Sequence, residues 1–61
     1  MKTEHWIPTA QKLPPDGKVV VTMDSGGQVQ ELKRRGRLWF VPDGSMHVYY
    51  TPQLWRERNE N

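Results

Sequence analysis

The chain has 61 residues, of which 34% are hydrophobic and 26% charged, and its formal net charge is +2. This length suits one small domain, and the sequence contains no run of roughly 18 apolar residues that would cross a bilayer. There is no cysteine, which excludes disulfides, thiolate zinc sites and cysteine nucleophiles. We therefore expect a single domain over residues 1–61 whose stability depends on a hydrophobic core alone.

The first third of the chain predicts an extended arm, a rigid turn and a strand. Trp6-Ile7-Pro8 favours a short edge strand or an extended arm, because a residue before proline adopts extended geometry. Leu13-Pro14-Pro15-Asp16-Gly17 predicts a tight turn, since proline fixes φ and Asp-Gly suits a turn. The β-branched run Val19 to Met23 predicts a central strand with Val19, Val21 and Met23 on one face.

The next segment is open to two interpretations. Asp24-Ser25-Gly26-Gly27 predicts a turn, after which residues 28–35 would pair back on the central strand as a hairpin. The same residues also allow a short helix, because Val29 and Leu32 are spaced i, i+3 and Gly36 could cap its end. A helix of that length would be marginal, so strand is the favoured interpretation.

Three further elements follow in the second half of the chain. Gly36 leads into a strand over Arg37 to Val41, and Pro42-Asp43-Gly44-Ser45 has the composition of a type I turn. Met46 to Thr51 alternates as a strand that Pro52 stops.

The chain is expected to close with one apolar anchor and a polar tail. Leu54-Trp55 is the anchor, and residues 56–61 are the tail, which we expect to fray. The predicted fold is all-β: a small twisted antiparallel meander of three to four strands. One of its faces would be covered by Trp6-Ile7 and by Leu54-Trp55.

These elements together resemble a family of small phage and prophage proteins that is classed as a domain of unknown function. The resemblance covers residues 5 to 55 and rests on Trp6-Ile7-Pro8, the Leu13 to Gly17 turn that runs into Lys18-Val19, Trp39, and Tyr49 to Trp55. Members of that family typically close with Thr-His-Trp, where this chain has Gln53-Leu54-Trp55. The resemblance implies a phage or prophage gene and a bacterial cytoplasmic setting, and it implies no catalytic residues.

The most distinctive local charge is a basic cluster, namely Lys33, Arg34, Arg35 and Arg37. Strand alternation sends Lys33, Arg35 and Arg37 to one face, with Arg34 on the other unless the turn at Gly36 changes the register. Cations next to an aromatic ring would bind phosphates while the ring stacks on a base. The plainer alternative is a solvated hairpin tip whose charges protect a sheet edge from aggregation.

The aromatic residues give a second hypothesis, because neighbours on a strand point to opposite faces. If Phe40 and Tyr50 enter the core, Trp39 and Tyr49 lie on the other face near Arg37 and His47. Aromatic residues mixed with arginine are enriched at protein interfaces. The alternative is that a terminal segment covers this second face and makes it core as well.

Catalytic and metal-binding groups are weakly indicated. His5 and His47 lie far apart in the sequence, so a zinc site would need carboxylate partners. Ser25 and Ser45 lie in turn clusters, where serine is expected for conformational reasons. We expect no enzymatic activity, cofactor or metal.

The sequence therefore predicts a non-enzymatic cytoplasmic protein that binds a host or phage protein through an aromatic and basic sheet face. The alternative is a module that binds single-stranded nucleic acid through the same surface, and a homodimer stays open. The predicted partner-binding residues are Lys33, Arg34, Arg35, Arg37, Trp39, His47 and Tyr49.

Overall fold

One antiparallel sheet of six strands forms the structure, a computed structural model that describes residues 5–58. The strands lie in the order β1-β6-β2-β3-β4-β5, so four consecutive strands form a meander and the two terminal strands join beside β2. The strands are β1 Ile7–Pro8, β2 Val19–Met23, β3 Val29–Arg35, β4 Leu38–Phe40, β5 His47–Val48 and β6 Leu54–Arg56.

The central hairpin forms because the turn after β2 supplies its own hydrogen bonds. The Asp24 carboxylate accepts hydrogen bonds from the amides of Gly26 and Gln28, each at 2.9 Å. Gly27 has a φ of 91°, a left-handed conformation that costs glycine little. β2 and β3 then pair over five residues, from Val19 opposite Lys33 to Met23 opposite Val29.

The β3–β4 hairpin closes with only two residues, Gly36 and Arg37, between Arg35 and Leu38. Gly36 has a φ of 64°, whereas Arg37 keeps a negative φ. This pattern fits a type II′ turn, whose twist matches that of the flanking strands and which takes glycine at its first central position.

The hydrophobic core lies on one side of the sheet, called here the core face. Residues opposite each other on neighbouring strands share a face, so the register assigns the members of each side. Val20, Leu32, Trp39 and Trp55 form the buried cluster, with Ile7, Val41 and Val48 packed against it. Thr22 is also buried on this face, where its hydroxyl donates to the Gln30 carbonyl at 2.8 Å.

The connection between β1 and β2 covers the core face. The Trp55 indole N–H donates to the Lys12 carbonyl at 2.8 Å, and the Arg34 side chain donates to the Pro14 carbonyl. Pro14, in this connection, is fully buried. The cover is thus a loop held by hydrogen bonds, because Trp55 and Arg34 both project from the core face beneath it.

The all-β antiparallel prediction is confirmed, and residues 29–35 are strand rather than helix. The sheet has six strands instead of three or four, because Ile7–Pro8 and Leu54–Arg56 pair with each other and β6 pairs with β2. The prediction of a short edge strand at Trp6-Ile7-Pro8 is confirmed for Ile7–Pro8. The prediction that this segment and Leu54-Trp55 cover a face is wrong, because Ile7–Pro8 and Leu54–Arg56 are strands of the sheet itself. The predicted fourth strand is shorter than expected, since only His47–Val48 pairs.

The polar tail is only partly described. Arg56 still belongs to β6, and residues 59–61 of the expected fraying segment lie outside the described residues. Within residues 5–58 the chain has no helix with the length and apolarity needed to span a membrane.

Candidate binding surface

The side of the sheet opposite the core is called here the open face. Its members follow from the same register, since each is paired with another member or lies two residues from one along a strand. They are Pro8, Val19, Val21, Met23, Val29, Glu31, Lys33, Arg35, Leu38, Phe40, His47, Leu54 and Arg56. This face combines aliphatic, aromatic and charged side chains, and most of the charged ones are basic.

One half of the open face is covered by the protein's own long side chains. Val21 lies between Glu31 and Arg56 on the neighbouring strands and is only 9% exposed. Glu31 pairs with Arg58 at 3.4 Å, and the Arg56 guanidinium lies 5.0 Å from the centre of the Trp6 ring. These contacts shield Val21 from water, whereas Val29, at the end of the same half, is 50% exposed.

The other half, over β4 and β5, has no such cover among the described residues. Phe40 and His47 are opposite each other and their ring centres are 5.7 Å apart, in an edge-to-face arrangement. Tyr49 continues this row with its ring centre 4.9 Å from that of His47 and is 92% exposed. Leu38 lies two residues before Phe40 and is 45% exposed. We call Leu38, Phe40, His47 and Tyr49 the aromatic patch.

Arg34 takes part in the fold rather than in this surface. It lies on the core face opposite Trp39, and its Nε and Nη2 donate to the Pro14 carbonyl at 3.2 and 2.7 Å. Its Nη1 donates to the Gly36 carbonyl at 2.8 Å and lies 3.3 Å from the Asp16 carboxylate. Asp16 also accepts the Gly36 amide at 2.8 Å. The guanidinium thus joins the Pro-Pro turn to the β3–β4 hairpin, and the prediction that Arg34 faces a partner is corrected.

Lys33 and Arg35 lie on the open face, as strand alternation predicted. The Lys33 ammonium extends towards the β4–β5 loop. The Lys33 Nζ would lie 3.6 Å from a Cβ atom added to Gly44. A hydrogen bond from the Ser45 amide, with a smaller contribution from the Lys33 charge, lowers the pKa of Asp43. The Lys33 charge therefore acts on this loop, while its ammonium forms no hydrogen bond or ion pair with any residue from 5 to 58.

Arg35 and Arg37 remain available at the tip of the β3–β4 hairpin. Both are exposed, and neither guanidinium forms a hydrogen bond or ion pair with any residue from 5 to 58. Arg35 is opposite Leu38, at the end of the aromatic patch, and Arg37 is in the turn itself. Two free cations thus lie at one end of an exposed apolar surface.

Trp39 lies in the core, so the prediction that it lies beside His47 and Tyr49 is wrong. It is only 2% exposed, because it is opposite Arg34 and Val48 on the core face. Phe40, which the sequence predicts in the core, lies on the open face instead. Alternation correctly separated these two neighbours, but it gave no information about which face the β1–β2 loop would cover.

Leu38 and Phe40 are two surface residues that the sequence reasoning missed. The signal was available in the two-residue turn Gly36-Arg37, because this turn fixes Leu38 opposite Arg35. Leu38 shares the face of Arg35 because the two residues are opposite each other. Phe40 lies on the same face because side chains two residues apart on a strand point the same way.

The described residues form no metal-binding group, since no three His, Asp or Glu side chains from 5 to 58 converge. Ser45 lies in the β4–β5 loop, where its amide binds the Asp43 carboxylate, and Ser25 lies in the β2–β3 turn.

No protein-family model, curated protein or solved structure matches the chain. The likeness to a phage family therefore stays a prediction.

Proposed function

We propose that this is a non-enzymatic binding protein that docks on another protein through the aromatic patch. A phage or prophage gene and a bacterial cytoplasmic setting belong to the same proposal, and they rest on the resemblance of the sequence alone. The partner is a host or phage protein.

The observation that carries the proposal is the exposure of large apolar groups together on one half of the open face. Tyr49 and Leu38 are 92% and 45% exposed, and they flank the half-buried rings of Phe40 and His47. Aromatic residues and arginine are enriched in protein interfaces, where they often supply most of the binding energy. Burying these groups against a partner would remove apolar surface from water, at about 25 cal/mol per Å².

The form of the sheet favours docking on this face over strand addition at an edge. The edge strands β1 and β5 have only two residues each, and Pro8 in β1 has no amide hydrogen to donate. Short edge strands and proline are devices that prevent pairing with another chain. A partner therefore gains little from hydrogen bonds along either edge.

Binding of single-stranded nucleic acid is the second candidate, because Tyr49 offers an exposed ring on the face that carries Lys33 and Arg35. Its weakness is the number of available cations. Arg34 is bound to backbone carbonyls, which leaves Lys33, Arg35 and Arg37. Affinity for nucleic acid depends on neutralising several phosphates, so three cations give a small electrostatic contribution.

A pull-down from nuclease-treated bacterial lysate tests the proposal. The bait is the tagged protein, compared with a Leu38→Ser and Tyr49→Ser double variant, which removes two exposed members of the patch. Leu13→Ser is the matched control, because Leu13 is 50% exposed in the β1–β2 loop, on the other side of the sheet. We expect one protein to be retained by the wild type and by the control and lost by the double variant.

Two results would overturn the proposal. Equal retention of the same proteins by all three baits would mean that the aromatic patch is not the docking surface. Nucleic acid in the untreated sample, with loss of every associated protein after nuclease, would favour the second candidate.

A further inference from the structure

The cations around the aromatic patch differ in what they already bind. Arg56 lies on the Trp6 ring and Arg58 pairs with Glu31, so both belong to the covered half of the open face. Lys33 extends to the β4–β5 loop beside Gly44. Like Lys33, Arg35 and Arg37 form no hydrogen bond or ion pair within the described part of the chain, and unlike Lys33 they lie at the tip of the β3–β4 hairpin beside Leu38.

Their place in the fold gives these charges a fixed relation to an apolar group. The two-residue turn fixes Arg35 opposite Leu38, and Arg37 directly precedes Leu38 in the chain. The Arg34 guanidinium holds this hairpin tip from the core side through the Gly36 carbonyl. Leu38 therefore has one arginine opposite it, Arg35, and another directly before it in the chain, Arg37, on a hairpin that is held at its base.

We propose that the segment that docks on the aromatic patch is acidic and apolar, with carboxylates bound by Arg35 and Arg37 beside an apolar side chain that packs on Leu38. The inference rests on the proposed function and specifies the chemistry of the partner. Arginine suits this role, because its planar guanidinium binds a carboxylate through two parallel hydrogen bonds.

A second copy of the chain is a poorer occupant, because the face carries the same sign of charge in both copies. Phosphate groups would satisfy the two arginines equally well, but the apolar surface of Leu38 and Phe40 gains nothing from a sugar-phosphate backbone. An acidic segment with apolar side chains satisfies both parts of the surface, as complementary charge and apolar contact do at protein interfaces.

The test uses a short fluorescein-labelled peptide of glutamate and leucine with one phenylalanine, and fluorescence anisotropy at physiological ionic strength. A peptide with glutamine in place of every glutamate, and another with serine in place of every apolar residue, are the comparison probes. We expect each to bind at least tenfold more weakly than the first peptide. The Arg35→Glu and Arg37→Glu double variant should lose binding of the first peptide by at least tenfold, and Leu13→Ser should not change it.

The variants need a check of folding, which the tryptophan fluorescence of the buried Trp39 and Trp55 supplies. Arg35→Gln and Arg37→Gln form a second, milder pair that removes the charge without reversing it, and it should also weaken binding. Equal affinity for the glutamate and glutamine peptides would overturn the inference.

Failure of the inference can be told apart from failure of the proposed function. If the acidic peptide does not bind while a lysate protein is still lost with the Leu38 and Tyr49 double variant, docking stands and the acidic partner is wrong. If labelled oligo-dT binds more tightly than every peptide, and its affinity falls with the charge-reversed variant, both proposals fail.

Discussion

Arg34 and its basic neighbours have the same charge but different surroundings, and their roles differ accordingly. The Arg34 guanidinium donates hydrogen bonds to two backbone carbonyls, those of Pro14 and Gly36. Arg37, three residues later, forms no such contact within residues 5–58. A run of like charges in a sequence therefore contains both structural and surface members.

Replacing Arg34→Lys should destabilise the protein by about 2 kcal/mol, because an ammonium cannot reach both carbonyls in the geometry of the guanidinium. Arg37→Lys is the matched control and should change the free energy of unfolding by less than about 0.5 kcal/mol. Urea unfolding followed by tryptophan fluorescence measures both. Equal effects of the two substitutions would contradict the structural role of Arg34.

Trp39 and Tyr49 give a second contrast between a core and a surface aromatic residue. Trp39→Ala should cost about 3–5 kcal/mol, because it leaves a cavity in a core of only a few large side chains. A loss of this size would unfold most molecules of such a small domain. Tyr49→Ala should leave stability within about 0.5 kcal/mol. Thermal unfolding by circular dichroism compares the two, and a folded Trp39→Ala protein with unchanged melting temperature would contradict the core assignment.

The residue pattern predicted which side chains share a face and failed to predict which face is buried. Alternation along a strand depends on local geometry, so Lys33 and Arg35 were separated from Arg34 correctly. Burial depends on the β1–β2 loop, which reaches Trp55 from 43 positions away along the chain. A contact that distant leaves no signal in a local pattern, and this is why Trp39 was assigned to the surface and Phe40 to the core.

At the level of the elements, the hairpin turns define the register of the sheet. Gly36→Ala should destabilise the β3–β4 hairpin by about 1 kcal/mol, because a side chain at φ 64° is strained although no atom lies within 4 Å of its Cβ. Gly26→Ala is the matched control, since Gly26 has no left-handed φ and its Cβ would meet only the Asp24 carboxylate at 3.5 Å. Chemical unfolding distinguishes them, and equal stability of both variants would contradict the turn geometry.

The β4–β5 loop gives a prediction about pH. The Ser45 hydrogen bond lowers the pKa of Asp43 below its ordinary value of 3.8, so ionised Asp43 stabilises the folded state. This contribution is complete above pH 3.8 and is lost as the pH falls through the lowered pKa. The stability difference between the wild type and Asp43→Asn should therefore shrink on acidification. Unfolding curves over a series of pH values measure it, and a difference that does not change with pH would contradict this cause.

The strands that the sequence predicted with success were those with a strong local pattern, as in Val19–Met23. The two terminal strands were harder, because Ile7–Pro8 and Leu54–Arg56 become strands by pairing with each other across the length of the chain. The sequence indicated extended or apolar segments there. These segments join the sheet because β6 pairs with β1 on one side and with β2 on the other.

The molecule as a whole has two faces that differ in how they are covered. The core face is closed by the β1–β2 loop and by the Arg34 hydrogen bonds, whereas the aromatic patch has no cover among residues 5–58. The docking function, the acidic partner and the choice of control variants all depend on this division. A test of this division should therefore compare contacts made at the two faces directly.

Site-specific photo-crosslinking in bacterial cells makes that comparison most directly. The photoreactive residue p-benzoylphenylalanine replaces Leu38 or Tyr49 on the aromatic patch, or Leu13 on the opposite side. We expect a discrete crosslink to one other protein from positions 38 and 49, and none from position 13. Crosslinks from position 13 alone, or crosslinks from the patch only to a second copy of the chain, would contradict this expectation.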